Sequence, residues 1–467
     1  MEIGFSCTVW AGGERTGHLD GIGIYSRALW QSLNEVAQSS GIRFKPHAFG
    51  KNLPPMPCGA PQVLAKDYRI HVILSGVLKL PLSNSAAISR ELDLFHATDH
   101  HIPLIRGVPT VATIMDLIPL LHPEWIKQDL KSLKSWLFAT SIRRADHIIT
   151  ISEYSKQDMV RHLGIEPERI SVTPLGVDPI YFERIEAPQR EAVLDKHGLK
   201  PGFFLFVGTL QPRKNLPRVL EAFQQLPEDV RKAHPLVIVG RDGWSNEELL
   251  PQLEALQQRG EGRWLSYLPQ NEVLALLQSA GALVFASLYE GFGLPVIEAF
   301  AAQCPVIASN TTSVPEVTGD AAWSVDPSRT ESISAAMLDV LQHSDEREQK
   351  IQRGLARARQ YTWQACAEQT LEVYRKVLAK NSDNTKTHRQ TRLFLVGRRL
   401  TTEKIIINRE FFRCADLLVL YDAFVFIFID QTHIPLSSSD AGQGQRHTRL
   451  EHFLTQVIIT PIVLSGW

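Results

Sequence analysis

Residues 282–298 read ALVFASLYEGFGLPVIE, and the path of the chain through them decides the fold. The run ALVFAS at 282–287 reads as a buried parallel strand, because strands covered on both faces lose the alternation of apolar and polar residues. PVIEAFAAQ, from Pro295, reads as a helix, since proline suits a first helical position where its missing N–H costs nothing. Strand, short loop and helix in that order mark the C-terminal edge of an open α/β sheet, where such sheets bind ligands. Glu290 falls on the loop and Glu298 in the first helical turn, so both carboxylates project towards that edge.

Two carboxylates would repel a phosphate, so their natural partners are hydroxyls. A charge-assisted hydrogen bond of that kind contributes on the order of 1.5–3 kcal/mol. Gly291 and Gly293 let a ligand approach the backbone N–H groups. Taken by itself, the spacing equally suits a glutamate that complements a helix dipole and a solvated loop acid. A second stretch adds to it. VGTLQPRKNL at 207–216 sets Gly208 and Thr209 at a strand end, then Arg213 and Lys214 ahead of an amphipathic helix. Alone this could be a solvated basic turn. With the glutamates it supplies hydroxyl acceptors and diphosphate donors, Arg213 through its planar fork and Lys214 as a point charge. That pairing is what a nucleotide diphosphate sugar requires.

The same alternation of apolar runs and amphipathic segments continues on either side. IGFSCTVW, LDLFHAT (92–98), TVATIMD (110–116), HIITIS (147–152) and ISVTPLG (170–176) precede a polar segment at 177–200 that carries two prolines and reads as a hinge. FFLFVGT (203–209), LVIVG (236–240), WLSYLP (264–269), LVFAS, PVIAS (305–309) and WSV (323–325) follow it. The expectation is α/β: two doubly wound Rossmann-like domains facing a cleft, at 1–180 and 181–360. A helix at 361–380 would cross back to the first domain, and a tail of different character occupies 381–467. The tail carries a basic stretch (Lys386, His388, Arg389, Arg392, Arg398, Arg399) and an apolar segment at 417–429 interrupted by Asp422. It reads either as a peripheral membrane contact or as an appendage without function.

Composition excludes several classes. The 467 residues carry 49 Lys plus Arg against 50 Asp plus Glu, a balance that argues against nucleic acid. The five cysteines are scattered without metal-like spacing, which fits a reducing compartment, and MEIGFSCTVW reads as a first strand rather than a signal peptide. A cytoplasmic setting, with contact at the inner membrane face if the tail provides it, is the expectation.

FVGTLQPRKNL, VIVGRDGW, EGFGLPVIEAFAAQCPVIAS and SVPEVTGDAA resemble the retaining glycosyltransferases of GT-B fold, the large family typified by sucrose synthases and bacterial mannosyltransferases. The resemblance covers residues 1 to about 380 and is strongest over 203–326. It implies that Glu298 holds the donor ribose and that Glu290 lies by the sugar hydroxyls. It further implies that the backbone of Gly291, Phe292, Gly293 and Leu294 meets sugar and phosphate, with Arg213 and Lys214 at the diphosphate and Gly208 among the donor-binding residues. In TGHLDGIGIYSRAL (16–29), Gly23 matches the family's N-terminal glycine loop, although Ser26 stands where a dinucleotide fingerprint needs its third glycine. Relatives commonly carry a His-Asp pair where this chain has Met115-Asp116 in TIMDLIPLLHPEW. Asp116 can still orient a sugar or acceptor hydroxyl, but the histidine's role is unfilled there. His96, His100 and His101 lie on the adjacent strand end and read as cleft or loop histidines rather than metal ligands.

No Asp-x-Asp triplet occurs, so the expectation is metal-independent transfer without a cofactor, the nucleotide diphosphate sugar being a co-substrate. Arg213, Lys214 and a helix N-terminus would stabilise the departing diphosphate. The acceptor would be a glycan or a lipid-linked glycan in surface polysaccharide synthesis, with mannose the favoured sugar on the likeness of DLIPLLHPEW to bacterial mannosyltransferases. A sugar-nucleotide epimerase of similar fold and a catalytically silent sugar-nucleotide-binding assembly partner are the competing readings.

Overall fold

Two all-parallel sheets carry the described part of the chain. The structure, a computed structural model, describes residues 1–38, 40–125, 131–243 and 248–395. The readings made on the tail lie outside the described residues, apart from the main chain as far as Leu395. Residues Met1–Lys386 form one compact unit.

The first sheet comprises β1 (Glu2–Ser6), β2 (Arg43–Ala48), β3 (Gln62–Val63), β4 (Leu94–Ala97), β5 (Thr110–Thr113), β6 (His147–Thr150) and β7 (Ile170–Val172), in the spatial order β3-β2-β1-β4-β5-β6-β7. The second comprises β8 (Phe204–Val207), β9 (Leu236–Val239), β10 (Gly262–Leu265), β11 (Ala282–Phe285), β12 (Val306–Ser309) and β13 (Trp323–Val325), ordered β10-β9-β8-β11-β12-β13. Each order reverses once, between β1 and β4 and between β8 and β11. At such a switch point the loops leave in opposite directions and open a crevice at the strand ends. The expected doubly wound α/β architecture is therefore present in both halves.

The sequence explains why these runs form strands. FLFV, LVIV and ALVF are apolar on both faces, and their aromatic and β-branched side chains suit a pleat sandwiched between helices. Phe204, Leu205, Leu236, Val237, Ile238, Ala282 and Leu283 are inaccessible to solvent.

Four details differ from the sequence reading. The first strand stops at Ser6, and TVW belongs to the helix Thr8–Thr16. WLSYLP contributes only Trp264 and Leu265, to a strand that begins at Gly262. β2 and β3 escape notice because RFKPHA mixes cations and a proline into the strand, and QV is too short to show a pattern. The hinge segment is structured: its prolines open the 3-10 turn Pro179–Phe182 and the helix Ala187–His197, where a missing N–H is tolerated. Glu272 then fastens that helix through Lys196 (2.6 Å) and His197 (2.7 Å).

The helix expected at 361–380 spans Trp363–Leu395. Its Tyr374 is buried and meets His96 Nδ1 at 2.6 Å, while His96 Nε2 meets Thr113 Oγ1 at 2.8 Å. His96 is thus a core residue that joins the first sheet to this helix, not a cleft histidine. Burial keeps its ring neutral, with a pKa of about 3.

Candidate active site

The loops that leave β8 and β11 at the switch point bring the predicted residues together. After β8, Gly208 takes φ +150, and a side chain on the neighbouring Gly240 would collide with its carbonyl. The turn Pro212–Lys214 ends on Asn215 in the left-handed region, φ 63. Asn215 Nδ2 donates to the carbonyl oxygens of Ala286 (2.9 Å) and Pro327 (2.7 Å), tying this loop to the ends of β11 and β13. Leu288 N–H donates to the Arg213 carbonyl at 2.8 Å, so the two loops are also joined through their backbones.

Glu290 is the centre of the arrangement. Its Oε2 lies 2.6 Å from Arg213 Nη1 and its Oε1 lies 2.7 Å from Lys214 Nζ, with all three side chains largely enclosed. Burial would raise the pKa of this carboxyl, but Arg213 and Lys214 outweigh it and hold the group at about 2. The same burial pushes the Lys214 ammonium down against the pull of Glu290. Three ionised groups therefore share one small volume at the strand mouth.

The loop itself is clamped from behind. Ser313 Oγ donates to the carbonyls of Glu290 (2.8 Å) and Phe292 (3.2 Å), and Thr312 Oγ1 accepts the Glu290 N–H at 3.2 Å. Phe292 is buried edge-on against Tyr361. Gly293, at φ +121, starts the helix Leu294–Ala301, in which Pro295 is the second residue. Glu298 consequently opens the second turn rather than lying in the first. Its carboxyl is hydrogen-bonded by the Tyr181 hydroxyl, with Asp178 and Lys214 nearby. Burial is the main reason its pKa rises to about 7, and Asp178 adds to it.

The opposite wall comes from the first sheet. Asp116 follows β5, and its Oδ1 accepts the Ile118 N–H at 3.0 Å. Gly291 packs directly on this loop: a Cβ there would stand 2.7 Å from the Met115 carbonyl oxygen and 3.1 Å from Asp116 Cβ. Burial raises the Asp116 pKa, Arg213 opposes it, and Glu290 and Asp158 add to it. Tyr289, beside Glu290, donates its hydroxyl to the Asp158 carboxylate across the cleft. Glu316 reaches over to accept the N–H groups of Glu153 (2.9 Å) and Tyr154 (2.6 Å), which open the helix Glu153–Leu163. An anion at a helix N-terminus satisfies orphan donors and the helix dipole together.

Gly23 lies in the first turn of the helix Gly21–Ala37, and its N–H is given to the capping carboxylate of Asp20 at 2.8 Å. His18, just upstream, meets Tyr267 of the second domain edge-on, with Arg241 over the far ring. Asp99, His100 and His101 bring ligand-type atoms within 4.8 Å of one another. Asp99 Oδ1 is already committed to His101 Nδ1 (2.7 Å) and its N–H (2.6 Å).

Asn215, Thr312, Ser313, Asp158 and Glu316 were not singled out from sequence. Asn215 directly follows the basic pair, and Glu316 sits within SVPEV, so both had a local signal. The pairing of Tyr289 with Asp158 had none.

Two family models match the chain, one in each half. The model described as glycosyl transferases group 1 matches residues 189–357, and that described as glycosyltransferase family 4 matches residues 59–180. O-antigen chain mannosyltransferase B of Escherichia coli is 35% identical over 283 residues, covering 60% of this chain and 74% of that protein. The chain is a GT-B glycosyltransferase. Other relatives of this glycosyltransferase include the O-antigen chain mannosyltransferase RfbU of Salmonella typhimurium, 29% identical over 53% of this chain and 65% of its own length. The serotype-specific mannosyltransferase WbdA of Escherichia coli is 27% identical, but the match spans 34% of that longer protein. Among solved structures, Anabaena Alr3699/HepE in complex with UDP and glucose superposes with a TM-score of 0.61 at 16% identity, over 80% of this chain and all of that one (100%), which supports the fold.

Proposed function

We propose that this glycosyltransferase moves a mannosyl group from a nucleotide diphosphate sugar to a growing surface glycan, free or lipid-linked, with retention of configuration and without a metal. The observation that carries the reading is the Glu290 carboxylate shared between Arg213 and Lys214 and facing Asp116 across the cleft. Free of donor, Glu290 balances the two cations. A bound diphosphate takes over much of their charge and frees the carboxylate to accept sugar hydroxyls. Glu298, held by Tyr181 beside that position, accepts the ribose hydroxyls. Gly291 and Gly293 keep the backbone bare where sugar and phosphate pass.

In the transfer step the bond from the anomeric carbon to the phosphate oxygen breaks and a bond to the acceptor oxygen forms on the same face. The acceptor proton passes to the departing phosphate oxygen. Arg213 and Lys214 stabilise the charge that develops there, the role a metal ion plays in other transferases. Asp116 orients the acceptor or sugar hydroxyl. The mannosyl assignment is supported by the O-antigen mannosyltransferases among the relatives.

Calorimetric titration with a panel of nucleotide sugars, followed by mass analysis of products with glycan acceptors, tests the reading. A product heavier by one hexose, made only with acceptor present, supports it. Donor isomerised without acceptor would favour an epimerase, and tight donor binding with no product at all would favour a silent binding partner.

A further inference from the structure

The helix Tyr68–Val77 of the first domain is built inside out. Its buried face holds His71, Val72, Ser75 and Gly76, and the polar groups there have partners. His71 Nε2 accepts the Leu104 N–H (3.1 Å), and Arg144 donates to the Ser75 carbonyl (2.7 Å). The stripe turned to solvent is the apolar one. Ile70 is 61% exposed, Ile73 47% and Leu74 38%.

The chain then folds back, the Leu80 N–H reaching the Leu74 carbonyl, and adds exposed Leu78 and Leu80 to the same surface. Trp136 completes it from the neighbouring helix Lys131–Arg144, its ring beside Gly76. Six of the eight large hydrophobic side chains exposed among the described residues thus belong to one surface, which is not scatter.

Its charge is one-sided. Between residues 62 and 90 the single acid is Asp67, which caps the helix and is paired with Arg69 at 2.9 Å. Lys66 and Lys79 are exposed in the same stretch, and Lys79 stands between Leu78 and Leu80 at a left-handed φ of 54. A second copy docked symmetrically would set these cations against one another. A bilayer interface with anionic headgroups offers an apolar phase for the leucines and isoleucines and phosphates for the lysines.

We propose that this surface seats the enzyme on an anionic lipid bilayer, with the Ile70–Leu80 stripe and Trp136 entering the acyl boundary. The assignment does not depend on which sugar is transferred. Lys66 and Lys79 lie at headgroup level, their stems covering apolar surface while the ammonium groups stay wet.

Co-sedimentation of the full-length chain with phosphatidylcholine vesicles, with and without phosphatidylglycerol, tests it. Binding is expected to require phosphatidylglycerol and to weaken with salt. It should fall about ten-fold or more in Lys79→Glu and in the Ile73→Ser/Leu78→Ser double variant. Tyr267→Ser, exposed on the other domain, should bind as the parent does. Unchanged melting temperatures would show that the variants fold. Vesicle binding that persists undiminished in the double variant would overturn the proposal by placing the contact elsewhere in the chain. So would a double variant that turns a dimer into a monomer without changing vesicle binding, or a parent chain that binds neither vesicle.

Discussion

Gly291 rests on Asp116 so closely that the two domains touch at backbone range: a methyl group on Gly291 would come within 3.1 Å of Asp116 Cβ and 2.7 Å of the Met115 carbonyl. The second of these is a main-chain atom and cannot rotate away. Gly291→Ala should therefore wedge the cleft while leaving each sheet intact. We expect kcat/KM to fall at least ten-fold, about 1.4 kcal/mol of transition-state stabilisation. The melting temperature should stay near that of the parent. Full activity in this variant would mean that the closed contact is not needed for transfer.

Glu290→Gln should expose the charge problem that the carboxylate solves. The amide leaves Arg213 and Lys214 facing each other with only the unpaired charge of Asp116 across the cleft to offset them, and removing one partner of a buried pair costs roughly 3–5 kcal/mol. The partial exposure of Arg213 lowers that figure. Inorganic pyrophosphate should restore more stability to this variant than it adds to the parent, because an anion then occupies the vacated role. Thermal melts with and without pyrophosphate read the difference directly, and equal increments in both proteins would argue against a diphosphate site here.

The Glu298 carboxyl gives a pH signature. Its pKa, raised to about 7 in the fold from 4.5, means that the native state holds a proton the unfolded chain has lost between those values. Stability from this group is present below about 4.5 and declines as pH rises through about 7. Glu298→Gln removes the ionisation, so the variant should gain in melting temperature relative to the parent at pH 8 and not at pH 4. Donor affinity should fall in the same variant at pH 8, where the parent presents a carboxylate to hydroxyls. A variant equally stable at both pH values but weaker in binding would place the titration elsewhere.

Chelation should leave transfer intact. With Arg213 and Lys214 taking the leaving phosphate, EDTA is expected to change the rate less than two-fold, and loss of activity with recovery on manganese would refute the metal-free step.

Truncation after Lys380 should also be tolerated. Val377 is the last buried side chain described on the helix Trp363–Leu395, so the cut spares the contacts with the first sheet. The shortened chain should remain soluble and bind donor by calorimetry.

What the sequence revealed follows from how local each signal is. The strand-loop-helix units around β8 and β11 announce themselves through apolar runs, glycines and a proline within about ten residues, a span that periodicity reads well. The Glu290–Arg213–Lys214 grouping became legible because a switch point brings exactly two loops to one place. By contrast, the Tyr289 bond to Asp158 joins a loop of the second domain to a helix of the first, 131 positions apart, and no pattern along the chain encodes it. His96 looked like a strand-end histidine because its partner, Tyr374, comes from a helix 278 residues later. The helix Tyr68–Val77 defeats pattern reading in another way. Its apolar stripe is real, but the rule that such a stripe faces the core fails there.

The bond from His96 to Tyr374 has a consequence for how the protein is made. Tyr25, Thr113, His96 and Tyr374 form an unbroken buried chain of polar groups, with Tyr25 Oη 2.8 Å from Thr113 Oγ1. Its final member is synthesised after every strand of both sheets. Until then the first-born half carries an unfilled slot in its interior, and His96 Nδ1 is short of its Tyr374 partner. The half of the molecule that starts first is the half that finishes last, and any release of the nascent chain before Tyr374 strands it in that open state.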